Sequence, residues 1–246
     1  MNAISATAST PVRHKERVQG SYTRLAASFE AWTPSADFRT TFHQSVLAEI
    51  DRRLEQRPSL RILEVGCGHG TWAREIFEHN SHRAIDYLGI DFTECRVIEA
   101  RRRMAAHQDA RFEIADCELF RPPHAFDLIL AVEVISHVPF DRYRDWLARW
   151  HNWLTPGGAI IIIDKERYSR HNLRLKWDSI KRRVLPRALC GRSYYFRDEF
   201  GDYVRTLDYP SFSRLNRIAR RVGLSPRPLF RLNLFRALTA DRPASR

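Results

Sequence analysis

Apolar positions along the chain change period several times, and each change marks an element. Tyr22, Leu25, Phe29 and Trp32 recur at spacings of three and four, predicting a first helix from Lys15 that Thr33-Pro34 breaks. Phe42, Val46, Leu47, Ile50 and Leu54 predict a second amphipathic helix, ending before Arg57-Pro58. Short apolar runs then alternate with helical patterns. Strands are predicted at 61–65, 84–90, 110–114, 126–132 and 159–163, with helices over about 72–79, 93–106 and 141–154. Pro122-Pro123 reads as a connector and Pro156-Gly157-Gly158 as a tight turn. Strands alternating with helices at this pitch predict a parallel sheet covered on both faces, and the wholly apolar fifth strand suits a buried place in it.

Beyond Asp164 the pattern changes. Leu173, Trp177, Ile180 and Val184 form an apolar stripe, while Lys176, Lys181, Arg182, Arg183 and Arg187 fill the other positions of a basic amphipathic helix broken near Pro186. The following stretch is aromatic (Tyr194, Tyr195, Phe196, Phe200, Tyr203, Tyr209) and carries no clear period. Phe212, Leu215, Ile218, Ala219 and Val222 predict a last helix stopped by Gly223, and 229–230 and 234–238 a closing pair of strands. The organisation expected is a disordered tail over 1–14, one domain over 15–240 and a short tail over 241–246. Within the domain, 15–57 forms a helical cap and 165–210 an insertion.

Composition sharpens this picture in two places. A length of 246 residues suits one sizeable domain, and 43% hydrophobic residues suffice for its core. The net charge of +12 is uneven: 19 Lys/Arg and 6 Asp/Glu lie between Lys165 and Arg236, against 22 and 23 elsewhere. That excess suits an anionic partner (nucleic acid, membrane or acidic substrate) or a solvated arginine-rich face. The four cysteines are too scattered for a disulfide scaffold or a zinc site. The apolar run 159–163 is too short to span a membrane, and the first ten residues lack the order of a secretion signal, so a cytoplasmic protein is expected.

The candidate chemistry centres on Arg61 to Trp72, RILEVGCGHGTW. A strand that ends in closely spaced glycines ahead of a helix lets backbone approach a ligand without intervening Cβ atoms. The spacing is E-x-G-x-G-x-G; it lacks the later third glycine of the dinucleotide fingerprint and the lysine of a phosphate-cradling loop. An acid without a base at this turn suits a ligand with an ammonium or sulfonium group better than a pyrophosphate. Asp91 follows Glu64 by 27 positions and Asp116 follows Asp91 by 25, so both acids fall at the carboxyl edge of successive strands.

Taken together, these motifs resemble those of class I S-adenosylmethionine-dependent methyltransferases over about residues 60–240, closest in pattern to small-molecule and quinone-precursor enzymes. The resemblance implies a Rossmann-like, doubly wound α/β fold: a mostly parallel seven-stranded sheet with an antiparallel terminal strand. It implies S-adenosyl-L-methionine as cofactor. Glu64, Gly66, Cys67, Gly68 and Gly70 match the glycine motif around its methionine part, Asp91 the acid that takes the ribose hydroxyls, and Asp116 the residue at the adenine amine. Phe92, Cys117 and Val132 complete the implied cofactor set, and Tyr22 resembles an N-terminal tyrosine folded over the cofactor, a plain core aromatic being its rival. His69 is the departure within the loop.

The exit of the fourth strand, AVEVISHVP from Ala131 to Pro139, resembles the E-V-x-x-H-V-P segment that lines the sulfonium and the acceptor in those relatives. His137 is the candidate general base, because a neutral imidazole can take a proton near pH 7; a pocket wall is the alternative. Glu133 is the second catalytic candidate, for positioning the acceptor. Ser136 stands where metal-using relatives tend to have a second acid, so no metal is expected. Asp164, Arg192, Tyr194 and Arg197 are the candidate acceptor-binding residues. The acceptor implied is a small acidic or aromatic metabolite methylated on oxygen or nitrogen, with a lipid or prenylated one at an anionic membrane surface as the alternative. Nucleic acid is disfavoured by the absence of an Asn/Asp-Pro-Pro-Tyr/Phe motif after strand four, and a non-catalytic binding protein stays open.

Overall fold

The computed structural model describes residues 20, 36–138, 140–166, 196–197, 203–204, 210–232 and 235–244. Five helices stand out: α1 Ala36–Leu54, α2 Thr71–His79, α3 Glu94–Arg103, α4 Tyr143–Trp153 and α5 Phe212–Arg221. The strands are β1 Ser59–Val65, β2 Ala84–Asp91, β3 Ala110–Ile114, β4 Phe126–Val132, β5 Leu154–Lys165, β6 Phe196–Arg197, β7 Tyr203–Val204, β8 Ser225–Leu232 and β9 Phe235–Asp241. β6 and β7 make a separate two-stranded ladder. The other seven form one sheet in the order β3-β2-β1-β4-β5-β9-β8. β1 to β5 pair in parallel, β9 runs antiparallel between β5 and β8, and β8 joins only through β9. This is the expected Rossmann-like architecture.

Alternation along the parallel strands divides the core in two. Leu60, Ile62, Tyr87, Leu128 and Leu130 point to one face, which α1, α2 and α3 cover with Val46, Ile50, Ala73, Ile76, Val97 and Ala100. Leu63, Val65, Leu88, Ile129 and Ala131 point to the other, beneath Leu147 and Trp150 of α4 and Phe212, Leu215 and Ala219 of α5. Strand order reverses between β1 and β4, so the crevice at their carboxyl ends is the natural ligand position of an open α/β sheet. No helix among the described residues is long and apolar enough to cross a membrane.

Two expectations change in detail. Pro156-Gly157-Gly158 is a bulge inside β5 and not a free turn. Between Phe126 and Leu128 the β4–β5 register shifts, and Gly157 adopts φ 75°. Gly157 N–H donates to Arg242 O (3.0 Å) and Arg242 N–H to Gly158 O (2.7 Å), which keeps the segment in the ladder. The C-terminal tail accordingly starts later than residue 241: Asp241 closes β9, and the Arg242 guanidinium donates to His151 O and Leu154 O. The predicted first helix, apart from Gly20, the basic helix of the insertion and the disordered tail lie outside the described residues.

Candidate active site at the carboxyl edge

β1 ends in three left-handed glycines, Gly66, Gly68 and Gly70, with φ of 73°, 51° and 73°. A Cβ on Gly66 would stand 2.6 Å from Val134 Cγ2, so the exit of β4 packs directly onto the glycine loop. Gly66 and Cys67 N–H groups donate to Ile90 O (2.8 and 3.0 Å), pinning the loop to β2. Asp91, 6% exposed, lies beside it. Its Oδ2 accepts from Gly68 N–H (3.0 Å) and its Oδ1 from Thr93 N–H (2.8 Å). Each carboxylate oxygen has a second lone pair, so both retain capacity for a ligand hydroxyl.

The other expected cofactor residues divide into those on the rim and those inside. Asp116 is half-buried after β3; its Oδ1 accepts Glu118 N–H (2.8 Å), forming an Asx turn. Phe92 and Val132 are half-buried at the ends of β2 and β4. Glu64 is 2% exposed and follows Ile62 toward the α1–α3 face, where Tyr87 donates its hydroxyl to Oε2. Burial pushes the Glu64 carboxyl up to about 8, the Tyr87 bond opposing and the Asp91 charge adding. Cys67 and Cys117 are both buried. The Cys117 thiol turns into the opposite core, accepts from Trp150 Nε1 (3.4 Å) and is pushed up to about 12 by burial. Its carbonyl is engaged by Arg149 (3.2 Å), so Cys117 acts beneath the rim. Tyr22 lies outside the described residues.

Beyond β4 the chain makes a sharp change of direction at Glu133, the non-glycine residue with positive φ (54°) among those described. Holding it there costs about 1–3 kcal/mol, a strain that persists only where neighbours over-determine the backbone. Here Glu133 N–H donates to Ile163 O (2.7 Å), and its Oε1 meets Lys165 Nζ at 3.2 Å. The next residues form a 3-10 turn, Ile135–His137, carrying half-buried His137 at its end. Ser136 N–H donates to Asp164 Oδ2 (2.8 Å), and Lys165 N–H to Asp164 Oδ1 (2.7 Å).

Asp164 was expected at the acceptor, but it has no exposure and both oxygens serve backbone amides. Its parity with Ile160 and Ile162 turns it under the α4 face, and burial pushes its carboxyl up to about 7, helped by the Glu133 charge. It braces the His137 turn from below. Among the remaining acceptor candidates, Arg192 and Tyr194 lie outside the described residues; Arg197 has only its backbone described, in β6. Three residues at this edge escaped the sequence reading: Tyr87, Lys165 and Arg96. The alternation of β5 carried a signal for Lys165, since Ile161 and Ile163 face the α1–α3 side and Lys165 follows them.

Residues 63–160 match the family profile described as a methyltransferase domain. The chain is 26% identical over 129 residues to the cyclopropane mycolic acid synthase MmaA2 of Mycobacterium tuberculosis, covering 50% of this chain and 43% of that one. It is 28% identical over 149 residues to the human tRNA N(3)-cytidine methyltransferase METTL6, covering 57% and 51%. The chain thus spans about half the length of these curated relatives. Among solved structures, Burkholderia thailandensis 1,6-didemethyltoxoflavin-N1-methyltransferase superposes with a TM-score of 0.66 over 98% of this chain and 93% of that one, at 18% identity. That last likeness is one of fold.

Proposed function

We propose that this chain, whose residues 63–160 match a methyltransferase-domain profile, is a class I S-adenosylmethionine-dependent methyltransferase that moves a methyl group to an oxygen or nitrogen of a small metabolite. The observation that carries this reading is the Asp91 carboxylate, buried beside three left-handed glycines at the strand-order reversal. The residues present fit the cofactor: a carboxylate with capacity for two hydroxyls suits a ribose, and half-buried glycine backbone without Cβ atoms suits the close approach of an amino-acid chain. When bound, S-adenosylmethionine would supply an electrophilic methyl on sulfur, taken in line by the acceptor as the neutral thioether leaves.

The chain's own residues then have three tasks. Asp91 and the Gly66–Gly70 backbone fix the cofactor; alignment of this kind is worth several kcal/mol, up to about 7–11 in the best cases. The β4 exit, strained at Glu133 and braced by Asp164, presents His137 from the same crevice. His137 Nδ1 or Nε2 takes the proton from an acceptor hydroxyl as the bond to the methyl forms, or from an acceptor ammonium before it forms. Glu133, held by Lys165, orients the acceptor. Calorimetry tests the reading directly: S-adenosylhomocysteine should bind the wild-type protein at micromolar concentrations, and no heat at millimolar ligand would overturn it. Comparing extracts with and without the gene for a mass difference of one methylene then identifies the acceptor.

A second reading, in which the acceptor is a lipid or prenylated compound at the inner face of the membrane, has its own support. α5 contains no acid, and Arg217, Arg220 and Arg221 are exposed with no acidic partner among the described residues. The apolar side of α5 is spent on the core, so docking would be electrostatic, at about 1 kcal/mol per arginine. Salt-sensitive pelleting with vesicles containing anionic phosphatidylglycerol, absent with phosphatidylcholine alone, is the expected result. No pelleting with either removes the reading.

A further inference from the structure

Sequence alone puts an acid and no base at the glycine loop; the fold brings a base there. Arg96 is the third residue of α3, five positions after Asp91, and its N–H donates to Thr93 O (3.1 Å). Side chains in the first turn of a helix lean back toward its N-terminus. The Arg96 guanidinium accordingly reaches the loop, its Nη1 standing 3.5 Å from the position a Gly68 Cβ would take. Gly68 N–H is the group that donates to Asp91 Oδ2. Glycine backbone, carboxylate and guanidinium therefore converge on one point of the rim. The charge of Arg96 is also felt next door, where it opposes the rise that burial imposes on the Cys67 thiol.

Resting on the cofactor reading above, we propose that Arg96 is a cofactor-contacting residue that lays its guanidinium against the nucleoside half of S-adenosylmethionine. Two arguments choose that half. The guanidinium shares its anchor point with Asp91, the acid that holds the ribose. A guanidinium beside the sulfonium would also set two like charges together in a partly buried crevice, whereas the face of a purine attracts a cation. Arginine suits the task better than lysine because its planar group stacks.

Two ligands separate the halves of the cofactor. S-adenosylhomocysteine carries nucleoside and amino acid; 5′-methylthioadenosine keeps the nucleoside and lacks the amino acid. In calorimetric titrations, Arg96→Met should weaken both ligands by a similar factor, about tenfold for loss of a cation–π contact. Arg96→Lys, which keeps the charge and loses the plane, should fall between wild type and Arg96→Met. Thermal melts of both variants establish that they fold. Unchanged affinity for both ligands overturns the proposal, and so does a loss confined to S-adenosylhomocysteine, which would assign Arg96 to the amino-acid carboxylate. Wild-type protein that binds neither ligand overturns the cofactor reading itself, an outcome distinct from the other two.

Discussion

The two ends of the sheet hold their buried acids differently. At the amino edge, carboxylates are paired with arginines. Glu49, 4% exposed, receives Arg52, Arg53 and Arg227, and Arg53 also reaches Asp241 (2.5 Å). Asp127 is held by Arg57 and by the backbone N–H of Arg61. These partners hold the Glu49 carboxyl down at about 2 against the penalty of burial. At the carboxyl edge Glu166 is likewise paired, with Arg236 (3.2 Å), but Glu64 and Asp164 are buried with no arginine bonded to them. Glu64 relies on a phenol, and Asp164 on two amides; their carboxyls rise to about 8 and about 7. Bonded cations stabilise the first end. The second accepts a desolvation cost, as functional sites do.

The contrast is sharpest under mutation. Glu49→Ala removes a buried charge that three arginines share and should cost about 3 kcal/mol in denaturant unfolding at pH 7. Its pH signature has a definite sign: the folded value of about 2 lies below the ordinary 4.5, so the contribution is full above pH 4.5 and fades as pH falls toward 2. Asp91→Ala, at the other edge, should weaken S-adenosylhomocysteine binding about 100-fold in calorimetry through loss of the proposed charge-assisted bonds to the ribose, and should cost less stability than Glu49→Ala, since it frees only the Gly68 and Thr93 amides. Equal stability losses at the two edges would erase the comparison.

Glu64→Gln tests the raised carboxyl. The folded value of about 8 stands above the ordinary 4.5, so the native state keeps a proton that the unfolded chain has released. Wild-type stability should therefore fall as pH rises from about 4.5 to 8, with Asp164 acting in the same direction from 3.8 to about 7. The Gln variant should flatten that slope, separating from wild type by a few degrees in melts at pH 8 and converging at pH 5. The smallest effect is expected at Glu133→Gly. Relief of the left-handed backbone should stabilise by about 1 kcal/mol while methyl transfer falls, and a destabilised variant would show that no strain is stored there.

Much of the frame was legible in the residues. Parallel strands buried on both faces have to be apolar, and β3 and β4 fall where 110–114 and 126–132 were expected. The glycine spacing and the two strand-ending acids placed the rim. Local pattern does not encode what the fold brings together from distant positions. Tyr87 meets Glu64 because β1 and β2 register Glu64 with Gly89, two residues on from Tyr87 and thus on the same face. Arg96 arrives on a helix, and its reach depends on the helix axis. Asp164 differs for another reason: it directly follows the apolar run of the fifth strand, and its parity with Ile160 and Ile162 turns it inward.

β8 has a consequence for how the molecule assembles. It precedes β9 along the chain, yet among the described residues its only sheet partner is β9, which must first occupy the open flank of β5. The last two strands therefore enter as a preformed hairpin, or wait for one another. A lesion in β9 alone, such as a proline at Thr239, should release both strands together and strand α5 without its floor.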